Sequence, residues 1–168
     1  MVSWATCLRL IGLSALAVWL LAASSIPEPP EIPTWLDLPR LRAELLREVN
    51  AARHKAGLPP VRPDIRLDCA AQEHAESMAI YSYYAHKAVG GPDLGERARR
   101  SGYRWAALAE NIMERVTTVE EAMDAWLGSK PHRRNILNPR YTEMGIGIAL
   151  KREGKGYRVV WVQDFGSR

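Results

Sequence analysis

Apolar positions recur along this chain in three different ways, and each predicts a different kind of element. The first is an unbroken run. Leu8 to Ala23 is nearly all apolar, and Arg9 is the one charge in or before it. About fourteen residues follow Arg9 before A-A-S-S, short of the ~20 that span a bilayer. The small residues at its end suit signal-peptidase cleavage. Residues 1–24 therefore read as a secretory signal peptide, with an uncleaved N-terminal membrane anchor as the alternative. Pro27, Pro29, Pro30, Pro33 and Pro39 follow. Residues 25–38 read as a proline-rich, semi-extended tether with no packing capacity, and the folded domain is expected over 39–168.

The second pattern is helical. Leu41, Leu45, Val49 and Ala52 share one face of a helix that Gly57 and the following prolines stop. A second helix is expected from about Asp64 to Tyr81, with Leu67, Ala70, Ala71, His74, Ala75 and Met78 on its apolar face. In that setting His74 reads as a hydrogen-bonded core histidine before it reads as a ligand. Gly90, Gly91 and Pro92 mark a loop. A short helix then runs from Asp93, as cap, to Ser101. Thr118 and Glu121 form a capping box that opens a fourth helix with Val119, Ala122, Met123 and Trp126 inward. Ser129 can cap one further turn.

The third pattern has period two. A strand is expected around Glu110 to Met113. T-E-M-G-I-G-I-A-L and G-Y-R-V-V-W-V-Q-D-F-G are strands joined by the hairpin signal R-E-G-K-G. Gly145 and Gly147 fall on one face, where a helix or ligand can approach closely. Helices and strands come in runs, so the class is α+β, with four or five helices and about three antiparallel strands.

Composition narrows the function. The chain has 168 residues, 47% hydrophobic and 25% charged, enough for one domain with a core and not a disordered chain. The net charge of +4 is spread along the sequence. No basic stripe with interleaved aromatics appears, which argues against a nucleic-acid partner. Mild basicity suits an anionic membrane or wall surface. Of the two cysteines, Cys7 lies in the leader. Without the leader, Cys69 would stand alone as a small helix residue with no basic neighbours to activate it.

Candidate chemistry gathers between Ala109 and Leu137, which holds Glu110, Asn111, Trp126 and His132. The order and content of L-L-R-E-V-N-A-A-R-H-K-A-G-L-P-P, A-A-Q-E-H-A-E-S-M-A, His86, G-Y at 102–103, A-E-N-I at 109–112, W-L-G-S-K-P-H-R-R-N-I-L, Y-T-E-M-G-I-G and W-V-Q-D-F-G resemble the CAP superfamily (cysteine-rich secretory proteins, antigen 5 and pathogenesis-related proteins), in its bacterial branch. The resemblance spans residues 44 to 166. It implies a three-layer α-β-α sandwich with a surface cleft lined by histidines and acids that can hold a divalent cation such as zinc.

His86 matches the first family histidine, Glu110 the acid of G-E-N-I, and His132 the bacterial histidine; Glu96 is a weaker candidate. Ala109 stands where the family has glycine, and Arg140 stands where the eukaryotic members have a further histidine. Two imidazoles and a carboxylate are ligands zinc accepts, but their separations carry no local metal signature. Asn111 and Asn135 are expected to support the site through backbone bonds. Ser129, three residues before His132, reads as a cap before it reads as a nucleophile.

The function expected is that of an exported CAP-domain module binding a lipid, a cell-envelope component or a divalent metal, with no assigned reaction and no required cofactor. Membrane contact is expected only through residues 1–24, if they are uncleaved. The alternative is a metal-dependent hydrolase or peptidase using His86, Glu110 and His132, with bound water as the nucleophile.

Overall fold

Helix α1 (Leu38–Lys55) begins where Asp37 accepts from the Arg40 N–H at 3.1 Å and a proline fills the first turn. It ends at Ala56, and Gly57 turns the chain with a left-handed φ of +71°. The computed structural model describes residues 37–154 and 156–168. The signal or anchor expected at 1–24 and all but the last two residues of the tether lie outside the described residues. Asp37–Arg168 is one compact unit.

The expected helices α2 (Ile65–Ile80), α3 (Leu94–Arg100) and α4 (Val119–Gly128) are all present. Asp64, Asp93 and Thr118 each accept a backbone N–H at the helix starts. Both Asp93–Glu96 and Thr118–Glu121 close reciprocal capping boxes. The extra turn is α5 (Lys130–Ile136), with Ser129 in the cap position but making no side-chain cap bond. The proline in its first turn supplies the start signal instead.

The sheet has one more strand than its periodicity reveals. β2 (Ala107–Glu114), β3 (Glu143–Glu153) and β4 (Gly156–Ser167) are antiparallel neighbours. β1 (Arg62–Pro63) joins β3 in parallel, giving the order β1-β3-β4-β2. Two residues are too few to show alternation, so β1 could not be read from the sequence.

The faces of this sheet differ sharply. One carries Met144, Ile146, Ile148, Trp161 and Phe165, which pack with Leu45, Val49, Met123 and Trp126 in the larger core, beneath α1, α4 and α5. The other carries Gly145 and Gly147, and α2 lies directly on them. A Cβ at Gly145 would overlap the Leu67 backbone, and one at Gly147 the Ala71 backbone. Two smaller clusters, one around Ala71, Met78 and Val160 and one around Leu67 and Tyr103, complete that layer. The result is the expected α-β-α sandwich.

Cys69 sits on α2, the small helix residue expected. Among the described residues no helix is long and apolar enough to cross a membrane.

Candidate functional site

The period-two pattern of β2 decides what its charged residue meets. Glu110 and Ile112 point to the α2 face, Asn111 to the α4–α5 face. β2 is the edge strand, and its outward carbonyls are closed by side chains rather than by another strand. Tyr141 Oη donates to Leu108 O at 3.3 Å, Asn135 Nδ2 to Glu110 O at 3.3 Å, and Tyr84 Oη and Trp126 Nε1 to Ile112 O, each at 3.1 Å. This blunts an edge that would otherwise pair with another chain. It also draws the loop between α2 and α3 and the last turn of α5 toward the same strand.

On the α2 face the Glu110 side chain is 3% exposed and reached from three sides. His86, on the loop, donates from Nδ1 to Oε1 at 2.8 Å; the donor must be the ring, because a carboxylate only accepts. Arg97, on α3, makes an ion pair with Oε2. His74 Nε2 stands 3.7 Å from Oε1 and donates to Ala85 O at 3.0 Å. His74 is thus the core histidine expected, although it lines the site from below. Arg97 Nη1 also donates to Pro92 O at 3.2 Å and His86 O at 3.4 Å, which ties the His86 loop to α3.

Directly across the ladder from Glu110 is Asp164, with Gly145 on its other side. Asp164 is fully buried, and neither of its oxygens meets a donor. Burial first, then the Glu110 charge, pushes the Asp164 carboxyl well above its ordinary range.

The imidazoles divide by environment. The hydrogen bond to Glu110 raises His86, whose side chain is 60% exposed, above its ordinary value. Burial lowers His74. His132 is also lowered, by burial and then by the charge of His86. His132 Nδ1 is buried without a partner.

Of the residues expected from sequence, His86 and Glu110 are in contact and His132 lies close by. Asn111 Nδ2 donates to His132 O at 3.2 Å and to Gln163 Oε1 at 3.1 Å. Asn135 Nδ2 donates to Asn111 Oδ1 at 2.9 Å, so the two asparagines fasten α5 to β2. Glu96 is spent on capping α3, where it accepts from Asp93 N at 2.8 Å. No bond joins Ser129 to His132 among the described residues.

Arg97 and Asp164 were not foreseen. Arg97 lies among charges that look like a solvated helix face. Asp164 carried a usable signal: it follows Val160 and Val162 in the period-two pattern and so falls at an inward position.

A divalent ion would need ligands free to face it. Both Glu110 oxygens are engaged, one by a buried guanidinium, and among the described residues no group of three or more His, Cys, Asp or Glu is placed to hold a metal. As arranged, these donors do not fit the ion that the resemblance implies.

The model of the cysteine-rich secretory protein family (CAP) matches residues 46–165. The chain is 32% identical over 116 residues to YkwD of Bacillus subtilis (strain 168), an uncharacterized protein, with 69% of this chain and 43% of that one aligned. Its fold is similar to that of an extracellular SCP-domain protein from Bacillus anthracis (TM-score 0.69, 24% identity, 77% of this chain and 41% of that one). It is similar also to an outer surface protein from Borrelia burgdorferi (TM-score 0.69, 20% identity, 79% and 96%). At these identities the structures show the fold alone. The chain spans less than half the length of either Bacillus relative.

Proposed function

The chain belongs to the cysteine-rich secretory protein family, and from that premise we propose that it is an exported module that binds a ligand at the cell envelope, a lipid or a wall component, through the surface at His86 and His132. The observation that carries this reading is the pose of His86. Its Nδ1–H is bonded to a buried Glu110 while most of the ring faces solvent, so Nε2 is held toward an incoming group. A ring oriented by a buried acid is a preorganised polar contact, the kind that fixes a ligand in a site.

The apolar leader at 8–23 supports export, as do an extracellular and an outer-surface protein among the fold relatives. No hydroxyl or thiol nucleophile is bonded to His86 or His132 among the described residues, which favours binding over nucleophilic catalysis. The rival, a metal-dependent hydrolase, requires Glu110 to release one of its two partners.

Calorimetry on the purified chain with anionic vesicles and with cell-wall fragments tests the proposal. Binding to one of them, weakened about tenfold or more by His86→Ala, is the expected result, a loss of ~1.4 kcal/mol. No binding to either, or binding indifferent to His86→Ala, refutes it.

A further inference from the structure

We propose that Arg97 serves as the built-in counter-cation of this site, standing in the role a divalent ion would take and holding Glu110 so that His86 presents Nε2 outward. The proposal is independent of which ligand binds. Glu110 offers two oxygens, and the protein fills both from within: Arg97 takes Oε2 and His86 takes Oε1. A metal on either oxygen must expel one of these donors. Arg97 cannot swing away to make room, because it is 1% exposed and its guanidinium is also fastened to the carbonyls of His86 and Pro92.

The charges agree with the geometry. Arg97 and Glu110 are both buried, and one guanidinium balances one carboxylate. A divalent ion would bring two more positive charges next to a buried one, and among the described residues no group of three or more His, Cys, Asp or Glu is placed to hold it. Arg suits this place because its planar fork serves a carboxylate and two carbonyls at once; the lysine ammonium is a point charge.

Arg97 is therefore a positioning residue acting through Glu110 on His86. Its hold on the carboxylate leaves Oε1 facing the loop, and Oε1 then selects the Nδ1–H form of His86.

Thermal unfolding of the purified full chain with and without zinc separates this role from a purely structural one. Wild type is expected to melt at the same temperature in either case. Arg97→Gln, which frees Oε2, is expected to gain roughly 5 °C or more at saturating zinc. Adding His86→Ala to Arg97→Gln should abolish that gain. Arg97→Lys keeps the charge without the fork and should stay indifferent to zinc.

A zinc response of wild type or of Arg97→Lys that His86→Ala removes overturns the proposal. So does a folded Arg97→Gln that ignores zinc. Should Arg97→Gln fail to fold, wild type and Arg97→Lys decide: indifference of both supports the inference, and a His86-dependent response of either overturns it.

Discussion

Asp164 faces the site's acid across the β2–β4 ladder. It is fully buried opposite a second acid, and its carboxyl is shifted well above the ordinary 3.8. The folded chain therefore binds this proton more tightly than the unfolded chain. The associated stability is present in full below pH 3.8 and is lost as pH rises toward and through the folded value. Asp164→Asn keeps the shape and supplies an N–H that can donate to Glu110. We expect its melting temperature, followed by circular dichroism, to fall less than that of wild type as pH is raised above 4; parallel profiles would contradict a raised Asp164 carboxyl. His86 has the same sign over a higher window. Its pKa is raised from 6.5, so its contribution is complete below 6.5 and is lost as pH rises through the folded value. His86→Gln should flatten the decline of stability above pH 6.5 in the same measurement. His74 works in the other direction: burial lowers it, and its contribution is lost as pH falls below 6.5. Glu110 and His86 were legible as candidates because they carry the motif residues. Their contact was not, because 24 residues separate them and only the sheet and the α2–α3 loop bring them together.

At the scale of elements, the sheet is exposed to attack at two edges and closes both with side chains. Beyond the two-residue β1, β3 offers its N–H groups to α2: Asp68 accepts from Ile146 N at 2.8 Å and Gln72 from Ile148 N at 2.9 Å. Those bonds require α2 to lie almost on the sheet, which the glycines permit. Gly147→Ala would drive a methyl into the Ala71 backbone. We expect a loss of ~1–3 kcal/mol or more, because neither backbone can yield without breaking the helix or the ladder. Chemical denaturation checks this; a neutral Gly147→Ala would mean that α2 can lift off the sheet at little cost. The capped helices were readable from sequence because their signals are local: an acceptor at the cap and a face that repeats. β1 was not, because its only evidence is its partner.

At the scale of the molecule, one buried arginine joins the two ends of the larger layer. Arg53 of α1 donates to Pro59 O, Ile136 O, Asn138 O and Tyr141 O, at 2.8 to 3.0 Å. Arg53→Met would strand those carbonyls and is expected to cost about 3 kcal/mol or more, measured by denaturation; a loss well under 1 kcal/mol would show that water replaces the guanidinium. All three apolar clusters are built from residues between Leu38 and Phe165. What the sequence determined by itself was therefore what depends on near neighbours: caps, helix faces, the hairpin, the α+β class and, through motif resemblance, the family. What only the tertiary structure decided was which polar groups face one another. Arg97 and Glu110 are 13 residues apart, and Asp164 lies farther along the chain. Nothing local in any of the three specifies the others. Their meeting follows from strand register and from α3 packing beside β2, which turns an ordinary helix arginine into the buried partner of the site's acid.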